Sequence, residues 1–156
     1  MNSKNIDILV ITISSPICIG VYSENILIDT IISDGKTSDI LPSIYSQISN
    51  KYDIDTIYYV NGPGSYMAIK IGYIFLKTIS IVKNIPFKAT SGFKFNENSP
   101  IKALGKKYFF NNNDGSIAIK FLTEDDYIQD FKLPKELDIS IFTEDCLPQY
   151  NLPAVN

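Results

Sequence analysis

Residues 55–72 read DTIYYVNGPGSYMAIKIG, and this stretch decides the fold. DTIYYV is rich in β-branched and aromatic residues and reads as a short central strand. It runs into Asn61-Gly62-Pro63-Gly64-Ser65, then into a helical stretch ending near residue 84, and residues 85–90 read as another strand. Strand, glycine turn, helix and strand in one sheet imply a parallel, right-handed crossover. A strand that turns into a helix through glycines exposes backbone N–H groups with partial positive charge, which can hold an anion. No Gly-Lys-Ser/Thr closes this turn, so it is not a Walker loop. The plainer reading is a tight turn with Ser65 as helix N-cap. The residues leave both readings open.

The helix after the turn is apolar nearly all round. At about 100° per residue, Ala68, Ile71, Gly72, Phe75, Ile79 and Val82 share one side, which can cover a sheet, with Gly72 allowing close approach. Tyr66, Ile69, Lys70, Tyr73, Ile74, Lys77 and Ile81 fall opposite. Only two lysines interrupt that second side, and their stems can lie along apolar surface. Such a helix is fully buried or meets a partner. Burial under the residues after Thr90 is the rival to a protein–protein interface. An exposed apolar face of this kind also implies self-association, as a symmetric homodimer, when the chain is alone.

Upstream, residues 6–14, 16–23 and 25–33 are rich in Ile, Val and Leu and read as three strands. Ser14-Ser15-Pro16 and Ser23-Glu24-Asn25 are the tight turns between them, as antiparallel neighbours require. A helix over residues 37–50 follows, with Thr37, Ser38 and Asp39 as N-cap candidates and Pro42 in the first turn. Ile40, Ile44 and Ile48 form its stripe, flanked by Leu41 and Tyr45.

Downstream of Thr90 the pattern weakens. Residues 93–104 are polar and interrupted by proline; residues 107–110 and 116–122 resemble a hairpin with Asp114-Gly115 as the turn signal. Residues 138–142 read as one more strand, and the tail from Leu147 as irregular.

Composition narrows the chemistry. The 156 residues include no histidine, which removes the usual general base, nucleophile-activating partner and zinc ligand. Serine–histidine and cysteine–histidine hydrolysis are excluded. A net charge of −3, with all 14 basic residues lysine, lacks the basic balance and bidentate forks of an independent nucleic-acid binder. Cys18 and Cys146 match no metal spacing and read as reduced, buried thiols. Asp125-Asp126, Glu144-Asp145 and Lys102, Lys106 and Lys107 read as solvated surface, with no metal site. The polar start and the lack of any run of about 20 apolar residues imply a cytoplasmic protein with no membrane association.

The stretch YVNGPGSYMAIKIG, residues 59–72, resembles the signature of the bacterial TsaB (YeaZ) family, usually close to GPGSFTGLRIG. ILVITISSPICIGVY, residues 8–22, is similar to that family's first two strands, normally ILAIDTS and CSVAL. Ile40-Leu41-Pro42-Ser43-Ile44 resembles its LLP-x-I helix start, and Ile85-Pro86 with Thr90-Ser91-Gly92 its strand and turn after the long helix. These matches cover about residues 6–92.

The resemblance implies an α/β fold, the ribonuclease-H-like, actin-like mixed sheet with two main helices of the acetate kinase, sugar kinase, heat-shock chaperone and actin (ASKHA) group. Residues 1–92 would form that N-terminal domain and residues 93–156 a reduced second part. It implies a non-catalytic scaffold, without cofactor, of the complex that makes tRNA threonylcarbamoyladenosine. The partner would be the catalytic TsaD subunit, with the TsaE ATPase joined through the complex and tRNA reached indirectly. The interface would be Ile44, Tyr45, Ile48, Tyr66, Ile69, Lys70, Tyr73, Ile74 and Lys77, with Gly62, Pro63, Gly64 and Ser65 as the signature turn. Where the family strand ends in Asp, this chain has Thr12, which removes a carboxylate from the nucleotide-positioning place. The alternatives are a small nucleotide-dependent phosphotransferase of the same fold group and a tRNA-binding module.

Overall fold

The computed structural model describes residues 3–13 and 15–150. Ser14, part of the first expected turn, lies outside the described residues. Strand β1 (Lys4–Ile11) opens on the exposed Lys4 and Asn5 and becomes continuously apolar from Ile8 to Ile11, where both of its faces are covered. It pairs antiparallel with β2 (Ile17–Ser23), which pairs antiparallel with β3 (Ile26–Ser33). Glu24 and Asn25 both take positive φ, 50° and 66°, in the β2–β3 turn. That is the backbone a two-residue hairpin loop needs to follow the strand twist.

Helix α1 (Thr37–Lys51) leads into β4 (Tyr52–Val60), which lies parallel to β1. Helix α2 (Tyr66–Lys83) then crosses over to β5 (Phe87–Thr90), parallel to β4. The sheet order is β3-β2-β1-β4-β5. This is the mixed sheet with two helices expected from the sequence. Asn84 ends α2 in the left-handed region, where the Ile85 N–H returns to the Ser80 carbonyl.

Two local expectations are corrected. The N-cap of α1 is Lys36, whose carbonyl accepts from the Asp39 and Ile40 N–H groups, and not Thr37, Ser38 or Asp39. Pro42 is therefore the sixth helical residue, in the second turn, where it denies the Ser38 carbonyl a donor; both residues are exposed, so water can replace it. Residues 138–142 form a 3-10 turn, Ile139–Ile141, and not a strand. The Asp138 carboxylate accepts from the Ser140 N–H and hydroxyl, a local bond that competes with ladder pairing.

The sheet separates two apolar layers by the period-two alternation of its strands. On one face Ile8, Val10, Ile19, Ile57 and Tyr59 meet Leu41, Ile44 and Ile48 of α1 and Leu76 of α2. On the other, Leu9, Ile11, Tyr22, Tyr58 and Val60 meet Phe93, Phe95, Phe109 and Phe142. The packing thus crosses the sequence boundary at residue 92. Residues beyond it carry a second antiparallel sheet, β6 (Ile101–Lys102), β7 (Lys107–Asn111) and β8 (Ile117–Phe121). The expected hairpin is β7–β8. The Tyr22 hydroxyl donates to the Pro134 carbonyl at 2.8 Å, tying the later segment to the end of β2.

Candidate functional site

The glycine turn is built from internal hydrogen bonds. The Asn61 N–H donates to the Thr90 carbonyl (3.1 Å), and the Gly92 N–H to the Gly62 carbonyl (2.9 Å), so the turn locks β4 to the end of β5. The Ser65 N–H donates to the Ile13 carbonyl at 2.9 Å, and Pro63 has no N–H. Two of the amides that a phosphate cradle would use are therefore absent or occupied. Ser65 is the N-cap of α2 by position, and its side chain makes no capping bond. Gly62 has φ +132°, a conformation that L side chains rarely adopt.

The first turn of α2 borders a cleft of about 480 Å³ that also takes in Thr12, Ser15, Lys36 and Ser38. Thr12 is 1% exposed and its hydroxyl faces the Ala68 carbonyl at 3.5 Å. Among the described residues the cleft lining has hydroxyls and one lysine but no carboxylate, so it offers no carboxylate base and no anionic metal ligand. Among the described residues, no group of three or more His, Cys, Asp or Glu could hold a metal ion. Asp126 is used locally, accepting from the Thr123 N–H (2.7 Å) and hydroxyl (3.1 Å).

Helix α2 is rotated from the phase expected. Its buried residues are Ile69, Gly72 and Leu76, a stripe at i, i+3 and i+7. Ile69 is 0% exposed and belongs to the second apolar layer, whereas Val82, expected against the sheet, is 72% exposed. A nearly all-apolar helix has a weak amphipathic signal, so composition could not fix its rotation. Gly72 keeps its expected role: a Cβ there would lie 2.9 Å from the Thr12 hydroxyl and 3.1 Å from that of Tyr59. The Tyr59 hydroxyl donates to the Ile69 carbonyl at 2.7 Å, and burial raises its pKa, so it stays a neutral donor.

The expected interface therefore divides. Ile44, Ile48 and Ile69 are core residues and present no surface. Tyr45 is half-buried, its ring edge-on to Phe75 at 5.9 Å, and Tyr73 is half-buried with its ring 6.2 Å from that of Phe87. Tyr66, Lys70, Ile74 and Lys77 remain exposed along α2. Beside Ile74 a groove of about 320 Å³ separates α1 from α2, lined chiefly by Leu41, Pro42, Ile71, Phe75 and Thr78. The sequence reading missed this groove. Finding it requires the helix crossing, which places Phe75 against Tyr45, and no spacing in either helix reveals that.

Two solved structures share this architecture. YeaZ from Pseudomonas aeruginosa superposes with a TM-score of 0.57 at 11% identity, covering 80% of this chain and 66% of that one. A second structure, described as an uncharacterized protein with similarity to peptidase YeaZ from Pseudomonas aeruginosa, gives 0.53 at 11% identity, with 80% and 62% covered. The chain has a YeaZ-like fold. It spans just under two thirds of the length of these neighbours. No protein-family model and no curated protein matches the sequence.

Within the YeaZ-like fold the remaining sequence candidates lie apart from the helix pair. Lys102, Lys106 and Lys107 are exposed, with the Lys107 ammonium over the Phe121 ring at 5.5 Å. Cys18 and Cys146 are free and buried, and burial raises both thiol pKa values. No helix among the described residues is long and apolar enough to cross a membrane.

Proposed function

We propose that this chain is a non-catalytic, cytoplasmic scaffold of the tRNA threonylcarbamoyladenosine-forming complex, docking on the catalytic TsaD subunit through α1 and α2. The observation that carries the reading is the surface left open between those helices. Ile74 is 55% exposed beside a groove of apolar lining, and Tyr66, Met67, Ile81 and Val82 are further exposed apolar residues of the same helix. A solvent-facing isoleucine over an apolar groove is stabilised when a partner covers it. Lys70 and Lys77 flank it on the same helix and give the rim positive charge, which selects an acidic partner edge. The YeaZ-like fold and the GPGS turn support the choice of partner. TsaE and tRNA would then reach the chain through TsaD.

The cleft beside Thr12 supplies no carboxylate, which weighs against a phosphotransferase. The acidic balance weighs against a tRNA-binding module as the sole function.

The test is to mix the chain with TsaD from the same organism and follow mass by light scattering. A one-to-one complex is expected with wild type and is lost in Ile74→Asp, while Tyr127→Asp, an exposed control in the later segment, retains it. Absence of a complex with wild type at micromolar concentration overturns the reading.

A further inference from the structure

The segment after the 3-10 turn at Ile139–Ile141 returns to the first sheet and ends on the glycine turn. Thr143 exchanges two backbone bonds with Ala89, 2.8 and 2.9 Å, along the outer edge of β5. Cys146 is buried in the first apolar layer, with its thiol 3.1 Å from the Phe87 carbonyl. From there residues 147–150 cross the turn. The Asn61 side-chain amide donates to the Leu147 carbonyl (2.9 Å), and the Gln149 N–H donates to the Asn61 carbonyl (2.8 Å). A Cβ at Gly62 would stand 2.3 Å from the Gln149 carbonyl oxygen. The Tyr150 ring lies 4.4 Å from that of Tyr66, tilted by 33°.

We infer that residues 147–150 form a strap that regulates access to the N-terminal end of α2. Closed, the strap holds Tyr150 on Tyr66 and withholds one face of that ring from any partner of the helix pair. Lifted, it frees Tyr66 and extends the docking face by a full aromatic ring. The inference rests on the proposed use of α2 as a docking helix.

The strap is separable from the fold for a physical reason. Its anchors, Thr143 and Cys146, lie before it, while Leu147 and Gln149 are exposed. The contacts between it and the turn include two hydrogen bonds to Asn61 and the Tyr66–Tyr150 ring pair, and Tyr150 packs, partly buried, at the border of the second apolar layer. Segments with few buried apolar contacts occupy the low-stability end of a structure and open locally without global unfolding. The Gly62 position fits this role: its φ and its missing side chain let the Gln149 backbone lie directly on the turn.

The test uses the full chain with Tyr150→Ala and, separately, Gln149→Pro, which deletes the N–H that bonds Asn61. Three quantities are read: exchange of the Gln149 amide in wild type and Tyr150→Ala, nitration of Tyr66 by tetranitromethane, and affinity for TsaD. The expected result is a protected Gln149 amide in wild type that exchanges faster in Tyr150→Ala. Tyr66 should be nitrated faster in both variants. TsaD binding should tighten about two- to tenfold, the size of one aromatic pair. An unprotected Gln149 amide in wild type overturns the strap. Weaker TsaD binding by Tyr150→Ala also overturns it, since Tyr150 would then belong to the docking surface. If no form binds TsaD, the proposed function fails, and exchange and nitration still decide the strap.

Discussion

Replacing Ile69 and Ile74 by alanine, one at a time, measures which way α2 faces. Ile69 is fully buried between the Tyr58–Val60 end of the sheet and the aromatic cluster of the later segment. Truncation removes three carbons, about 2.4 kcal/mol at roughly 0.8 kcal/mol per buried methylene. A cavity is left under a helix that cannot move inward, because Gly72 already brings it close to Thr12 and Tyr59. With that term the cost should reach about 3–4 kcal/mol. Ile74 is 55% exposed, so roughly half of its transfer energy is absent at the outset. Alanine also gains about 0.4 kcal/mol in helix propensity, which offsets much of the rest, and the net change should stay within about 1 kcal/mol. Urea unfolding followed by far-ultraviolet circular dichroism separates the two. For a slope of about 2 kcal/mol per molar, Ile69→Ala should lower the midpoint by about 1.5–2 M and Ile74→Ala by less than about 0.5 M. Equal losses, or a larger loss for Ile74→Ala, would refute the rotation of α2 and with it the exposed face.

Other expectations follow from single contacts. Gly72→Ala drives a methyl against the Thr12 and Tyr59 hydroxyls and should destabilise by about 1–3 kcal/mol, read as the same urea shift, with Tyr59→Phe partly relieving it. Asp7 has a raised pKa, first from desolvation and then from Asp55, opposed by hydrogen bonds from Thr56. The folded state therefore holds the proton more tightly than the unfolded state, and this term lowers stability as pH rises through the raised pKa. Asp7→Asn should be more stable than wild type at pH 7, with the advantage shrinking toward pH 3 in urea titrations. Cys18 and Cys146 are buried with raised thiol pKa values, so iodoacetamide at pH 8 should label neither in the folded chain and both in urea, scored by mass.

Much of the fold was legible because the strands alternate or run apolar in the way their burial demands. The second half of β1, Ile8–Ile11, reads as an apolar run because both faces are covered there, and Ser23-Glu24-Asn25 marks a hairpin turn, with Asn25 a residue type that tolerates positive φ. The crossover from β4 to β5 is visible in the order of strand, glycine turn and helix. The rotation of α2 was not legible, since isoleucines lie on every side and only packing selects Ile69, Gly72 and Leu76. Nor was the second layer: Phe93, Phe95 and Ile101 are buried from a 3-10 turn and a two-residue strand, too short for any period to show. The GPGS turn was visible as a motif, but its amide partners, Ile13 before it and Gly92 and Gln149 after it, come from segments that spacing cannot connect. Of the nine interface residues expected, Tyr66, Lys70, Ile74 and Lys77 stay on the surface because they lie off the buried stripe.

The most direct measurement of the docking claim is hydroxyl-radical footprinting of the chain alone and mixed with TsaD from the same organism. Ile74, together with Pro42 and Phe75 around the groove, should become protected in the mixture. Tyr127 and Phe121, exposed on the later segment, should be unchanged. Protection at Tyr127 and Phe121 with none at Ile74 would contradict docking through the helix pair.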